Sequence, residues 1–421
     1  MKWPELDLSQ IVDRFISGGT PSTKKPEYWY GDIPWITGAD FSDGEVVLGR
    51  RYINEEAIEN SATNIVPAGS ILMVTRTGVG KTAIAPVDIA ISQDITGIVP
   101  KEGSNHRFIV SAIRHRMGRI LSVQRGATIK GVTRRDVELL PIPVPAPSEQ
   151  RRIVEILDQA DALRKMCAEA DAKAERILPT LFYKMFGDPG TIMTEKDAVQ
   201  LKDCKADFQN GFACGIKDVP EGIPHLRMNN IDDKGVLNLD LVRTVPSEND
   251  RKKYRLQDGD VLFMSTNSED KIGKACVFYP PSEGHFLFSN HLTRIRLQGS
   301  NLTPEYLASY LHLLWQKGYY PRIAKRWVNQ ASVSQQALGN INIAVPMKVR
   351  AKTYASATRE FLKLQKKTED SREQIDALFN TILYRAFSGD LTVKWRKAHI
   401  NELLAEMEQQ QKDLISSSEF N

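Results

Sequence analysis

At 421 residues the chain exceeds the ~250–300 residues at which a single core stops growing, so several domains are expected. Hydrophobic residues make up 41% and charged residues 26%, and no apolar run approaches the ~20 residues of a membrane helix, which excludes fibrous, disordered and helical membrane classes. The net charge of +4 is too small to name a partner until its distribution is examined.

Met1-Lys2-Trp3-Pro4-Glu5-Leu6-Asp7 has no hydrophobic signal core. Cys167, Cys204, Cys214 and Cys276 form no Cys-x-x-Cys pair and have no histidine at zinc-ligand spacing. Reduced thiols, a cytoplasmic location, no membrane association and no metal site are therefore expected.

In chain order, a weakly helical Leu8-Ser9-Gln10-Ile11-Val12-Asp13 leads to the turn formers Gly18-Gly19-Thr20-Pro21-Ser22-Thr23. Short strand-like runs follow, including Ile33-Pro34-Trp35-Ile36 and Ser70-Ile71-Leu72-Met73-Val74, then Gly80-Lys81 and Ser92-Gln93-Asp94. Arg107, Arg114, Arg116, Arg119, Arg125, Lys130, Arg134 and Arg135 then fall in a stretch without a single Asp or Glu. Ile142-Pro143-Val144-Pro145 closes the module.

Next comes a helical pattern with apolar or small residues at Ile153, Ile156, Ala160, Leu163, Cys167, Ala170, Ala174, Ile177, Leu181 and Met185. The alternating steps of three and four predict one long helix with a coiled-coil seam.

The whole pattern then recurs. Ile223-Pro224-His225-Leu226, Asp260-Val261-Leu262-Phe263-Met264, Gly273-Lys274 and Ser289-Asn290-His291 answer the first-module runs. A second acid-free stretch, Tyr306 to Arg359, carries Lys317, Arg322, Lys325, Arg326, Lys348, Arg350, Lys352 and Arg359. Ile343-Ala344-Val345-Pro346 closes it at an offset of 201 residues from Ile142. A second seam follows at Tyr354, Ala357, Phe361, Leu364, Thr368, Ser371, Ile375, Leu378, Ile382 and Ala386. A period this long is no solenoid unit of ~20–50 residues but a tandem of whole domain-plus-helix modules. Residues 401–421 read as a polar helix with a Ser-rich end.

Matching basic segments in equivalent positions point to a polyanion. Both mix cations, suited to phosphates, with side chains suited to base edges. The first-module candidates for DNA contact are Arg76, Thr77, Lys81, Arg125, Thr128, Lys130, Arg134 and Arg135. In the second module they are Arg227, Asn229, Asn230, Asn267, Lys274, Asn290, Arg326, Asn329, Gln330 and Gln335. Thr133, Ser332 and Ser334 lie among them, and His225, His291, Trp29, Trp35 and Trp327 are weighed between core packing and DNA contact.

Thr77-Gly78-Val79-Gly80-Lys81-Thr82 imitates a phosphate-binding loop, but Thr75 stands where that motif requires glycine, so a turn between strands is expected. No catalytic constellation is visible. A coiled-coil scaffold that binds no specific DNA is the alternative reading.

Ser17-Gly18-Gly19-Thr20-Pro21-Ser22-Thr23, Tyr28-Trp29, Asp32-Ile33-Pro34-Trp35-Ile36, Leu140-Pro141-Ile142-Pro143-Val144-Pro145-Ala146-Pro147-Ser148-Glu149-Gln150-Arg151-Arg152-Ile153 and Ala386-Phe387-Ser388-Gly389-Asp390-Leu391-Thr392 together resemble the specificity subunits of Type I restriction–modification systems. Met347-Lys348-Val349-Arg350-Ala351-Lys352 departs from that pattern.

The resemblance implies an α+β, mixed α/β fold with pseudo-twofold tandem repeats. Two similar recognition domains would be separated by a long antiparallel two-helix coiled coil. The expected boundaries are 1–147, the first recognition domain; 148–188, the first helix; 189–347, the second domain; 348–390, the second helix; and 391–421, a partly helical tail. It further implies a non-catalytic chain whose domains each read half of a bipartite site in double-stranded DNA. The helices would set the spacer and dock two methyltransferase subunits, with restriction/translocase subunits assembled on them. S-adenosylmethionine, ATP and magnesium would belong to those partners, with none bound by this chain.

Overall fold

The computed structural model describes residues 3–42, 44–123, 132–216, 218–249, 252–280, 284–328 and 330–418. The chain divides into two compact units, residues 1–166 with 372–421, and residues 167–371.

The first unit is built on a four-stranded antiparallel sheet ordered Val12–Ser17, Ile95–Pro100, Ile71–Val74, Thr82–Ile84. Side chains alternate across a strand, and here both faces are covered. Ile71, Met73 and Ile98 pack with Phe108, Ile109 and Ile113 of the helix His106–Val123. Leu72, Val74 and Ile95 point the other way, into a core with Ile36, Val66, Ile89 and Ile91. Two-sided burial is why Ile71–Val74 is uninterruptedly apolar. Ile36 and Ile89 belong to a second sheet, in which Ile33–Ile36 and Ile89–Ile91 run parallel.

The second unit repeats this plan. Its sheet is ordered Ala206–Asn210, Leu292–Leu297, Val261–Met264, Ala275–Val277, again all antiparallel. Val261, Phe263 and Ile295 face Tyr306, Leu307 and Tyr310 of the helix Pro304–Gln316. Leu262, Met264 and Leu292 face Leu226 and Phe288, from a parallel strand pair that answers the one in the first unit. The repeat read from the sequence is thus a repeat of topology.

The long helices depart from expectation in two ways. The first is interrupted: Pro147–Ala174 ends, and a second helix starts at Ile177 and runs to Phe186. Pro179 accounts for the break, because it has no N–H to offer the Glu175 carbonyl and its ring crowds that group. The helix Lys348–Ser388 has no internal proline and is continuous. It begins 201 residues after Pro147 despite its different opening sequence.

The second departure concerns the seam. Burial is concentrated at the helix ends, at Ile153, Leu157, Phe182, Ala351, Tyr354, Ala386 and Phe387, whereas Leu163, Ile177, Leu364 and Leu378 are about half exposed or more. In the first unit Ile153 and Leu157 share a core with Ile382, Leu383 and Ala386, while Arg164 Nε bonds Asp376 Oδ1 at 2.7 Å and its guanidinium lies 4.5 Å from the Phe379 ring. In the second unit Phe182 meets Tyr354 edge-on at 5.6 Å, and the Met185 carbonyl accepts from Arg350 at 3.4 Å. In each unit one number rises as the other falls, so the helix ends pair antiparallel.

The compact units also cut across the expected linear domains: 372–421 belongs with the first domain. The helices Val393–Ala398 and Ile400–Ser418 follow the long helix. Arg396 Nε reaches Glu149 Oε1 at 2.7 Å, Thr392 Oγ1 donates to the same oxygen at 2.5 Å, and Trp3 Nε1 donates to Glu149 Oε2 at 3.0 Å, all in a buried setting. No described helix is long and apolar enough to cross a membrane.

Candidate nucleic-acid interface

One backbone skeleton occurs in both units. After the strand Ile71–Val74, Gly80 N–H donates to Val74 O at 3.0 Å and Val74 N–H to Lys81 O at 2.9 Å. After Val261–Met264, Gly273 N–H donates to Met264 O at 2.9 Å and Met264 N–H to Lys274 O at 2.8 Å. Gly80 and Gly273 both have left-handed φ, 91° and 103°, and a Cβ on Gly273 would fall 1.9 Å from the Tyr320 ring. Each turn joins two antiparallel strands, not a strand to a helix, so the phosphate-loop likeness is structural coincidence.

Two further bonds are shared. Thr75 N–H donates to Asp94 O at 2.8 Å, and Ser265 N–H to His291 O at 2.9 Å. Val132 N–H donates to Thr75 O at 2.8 Å, and Val333 N–H to Ser265 O at 2.9 Å. In each unit three segments therefore converge: the glycine turn, the loop before the last sheet strand, and the basic segment. Thr133 Oγ1 and Ser334 Oγ then accept from Asp136 N–H and Ala337 N–H, capping short helices at equivalent places. These two hydroxyls cap the short helices.

The candidates divide by environment. Arg76, Thr77 and Lys81 are exposed on the first glycine turn. Arg134 and Arg135 are exposed on the capped helix, with Arg134 Nε bonded to Glu138 at 2.7 Å and its guanidinium 5.8 Å from Phe15. Arg125, Thr128, Lys130 and Asn329 lie outside the described residues. Asn229, Asn290, Arg326 and Gln330 are exposed, and Arg326 pairs with Glu269 at 3.1 Å. Gln335 is half-buried and donates to Asn210 Oδ1 at 2.9 Å. Asn267 is half-buried, with Oδ1 accepting from Ser268 N–H at 2.8 Å. Arg227 is half-buried, and burial lowers its pKa.

Two candidates are withdrawn from the surface. Lys274 is buried, ion-paired to Asp233 and 5.0 Å from the Trp315 ring. Asn230 is fully buried; its Oδ1 accepts from Arg227 N–H at 2.8 Å and its amide donates to Asn238 O at 2.8 Å. Its amide geometry is that of a turn clasp. His225 is buried too, its pKa pushed by burial down to about 4, so it stays neutral inside the fold.

Tertiary structure also pairs many cations of the acid-free stretches. Arg107 meets Asp158 at 2.5 Å, Arg116 meets Glu5, Lys317 meets Asp188 at 2.7 Å and Arg359 meets the buried Glu305 at 2.7 Å. Arg114 is exposed at the surface, yet its guanidinium donates to Thr82 Oγ1 at 2.7 Å and Thr82 O at 2.9 Å, and desolvation there lowers its pKa. The acids come from elements remote in sequence, so an acid-free run overstates the surface charge it makes.

What the sequence undervalued is Trp327. Trp35 is buried and Trp29 packs edge-on against it at 5.1 Å, but Trp327 is 54% exposed on a hairpin of Lys325–Trp327 and Gln330–Ser332. Among the described residues no group of His, Cys, Asp and Glu is placed to hold a metal.

Two copies of one scaffold thus stand in tandem, each displaying different side chains from the same convergence of loops. The model of the Type I restriction modification DNA specificity domain matches residues 2–173, so the first module is similar to that domain. The Type I restriction enzyme MjaIX specificity subunit of Methanocaldococcus jannaschii is 34% identical over 194 residues, 44% of this chain and 44% of that relative, so the match spans less than half of either. A chain solved in work on complex assembly and conformational transition of the type I R-M system aligns over 93% of this chain and 98% of its own, with 18% identity and a TM-score of 0.58. The Type I restriction–modification S subunit from M. genitalium aligns over 92% and 96%, with 13% identity and a TM-score of 0.54. These likenesses are likenesses of fold, and they extend it over nearly the whole chain.

Proposed function

We propose that this chain is the non-catalytic DNA-reading subunit of a Type I restriction–modification complex, each domain reading one half of a bipartite, asymmetric sequence. The observation that carries the reading is one hydrogen-bond skeleton holding different exposed side chains. Lys81 is exposed where Lys274 is buried, and Arg134 stands where the second unit has Gln335. Equivalent scaffolds give equivalent docking to two half-sites, and unlike side chains give unlike words.

In the same reading the long helices set the distance between half-sites. Their exposed apolar residues, Leu163, Met166, Leu364 and Leu378, are the surface for two methyltransferase subunits, on which restriction/translocase subunits assemble. S-adenosylmethionine, ATP and magnesium then belong to those partner subunits.

The test is an exchange. Residues 20–140 replaced by the equivalent domain of a relative, in cells carrying the cognate methyltransferase, should change one half of the methylated sequence in a methylome. A change in both halves would sink independent reading. Binding of the assembled complex to duplex DNA should fall with salt at a log–log slope near −0.9 per neutralised phosphate. A flat response would instead favour a scaffold without DNA.

A further inference from the structure

The hairpin Lys325–Trp327/Gln330–Ser332 is firmly based, and its outer end carries two exposed apolar residues, Trp327 and Val328. Its base is knitted to the strand Thr266–Asn267 by pairing of Thr266 with Ser332 and Asn267 with Ala331, and Thr266 Oγ1 donates to Ser332 Oγ at 3.2 Å. Ala331 is fully buried and Val333 is 2% exposed, so the root of the hairpin is part of the core. At the other end Trp327 is 54% and Val328 90% exposed. An indole and a valine, adjacent in sequence and exposed at the end of a paired stem, are a surface open to a cover.

The surrounding charge says what that cover is. Lys325 Nζ lies 5.6 Å from the Trp327 ring, Arg326 is the next residue and pairs with Glu269, and Arg322 is exposed just before the hairpin. An apolar point flanked by cations matches a duplex, whose phosphates border a groove floored by base edges and methyl groups. The first module has Gln124-Arg125-Gly126-Ala127 where the second has Lys325-Arg326-Trp327-Val328, so the aromatic belongs to one half-site alone.

Resting on the DNA-reading function above, we propose that Trp327 and Val328 form an apolar wedge that enters the groove of the half-site read by the second domain and packs against its bases. Lys325 and Arg326 seat the wedge on the flanking phosphates.

The test uses the complex assembled with its methyltransferase subunits and a duplex carrying the site found by methylome sequencing. Trp327→Ala should weaken binding about ten- to hundred-fold, as loss of an aromatic–base contact does, without changing the salt slope. Trp327→Phe should recover much of that loss, and Lys325→Ala should lower the slope by about one. Wild-type affinity in both Trp327→Ala and Val328→Ala overturns the wedge while leaving the function intact. Loss of methyltransferase co-purification in Trp327→Ala also overturns it, because the tip would then be a protein contact. If the wild-type complex itself bound duplex without salt dependence, the DNA-reading function would fall, and the wedge with it.

Discussion

His225 and His312 show how burial removes residues from the chemistry their type suggests. Both are buried in the second unit, and burial is the largest cause lowering each pKa from 6.5 to about 4. His312 accepts from Ala275 N–H at Nδ1 (3.4 Å), and its Nε2 lies 3.2 Å from the Asp233 carbonyl, the arrangement of a neutral ring. Between pH 6.5 and 4 the unfolded chain binds protons at these positions and the folded one does not. Stability from this source is complete above pH 6.5 and declines as pH falls toward 4, by a few kcal/mol at most. Denaturant midpoints of the wild type should drop across that window more steeply than those of His225→Gln. Equal slopes would show that His225 titrates normally. Lys274 and Asn230 teach the same lesson: residue type is legible in the sequence, but whether the side chain faces water or the core is not.

At the scale of elements, the sequence read some features well. The strands Ile71–Val74 and Val261–Met264, the helix starts near Pro147 and Lys348, and the offset between modules are all local consequences of pattern. The seam was read less well. A heptad pattern reports which helix face is apolar, not which stretch of that face finds a partner, and here partners are found at the ends. Pro179 was visible in the sequence, and its effect follows from the missing N–H. If the helices set the spacer, inserting one heptad into Lys348–Ser388 among the exposed residues 366–374 should alter the spacer in a methylome and leave both half-site words unchanged. Altered words would refute the ruler role. About 10 Å of added helix, at ~1.5 Å per residue, corresponds to about three base pairs.

On the scale of the whole molecule, the chain closes its first unit with its last helices. Glu149 receives Trp3, Thr392 and Arg396, so one buried carboxylate joins residues from the beginning, middle and end of the sequence. Removing one partner of a buried ion pair costs on the order of 3–5 kcal/mol, because the other charge stays buried alone. Glu149→Ala should therefore lower the stability of the first unit by about that amount and leave the second unit's transition in place, as read by calorimetry of the full chain. Loss of both transitions together, or no loss, would contradict this placement.

The sequence by itself determined the duplication, the mixed strand-and-helix class and the long helices, because these rest on local periodicity and on motifs that recur in the same order in both modules. Tertiary structure alone decided which cations stay on the surface. It drew Arg107, Arg116, Lys317 and Arg359 into pairs with acids from distant segments, and buried Lys274 while leaving Lys81 exposed. It also exposed Trp327, an aromatic that composition would place in the core. Burial and charge pairing depend on which distant segments meet, and that is a property of packing which no local pattern encodes.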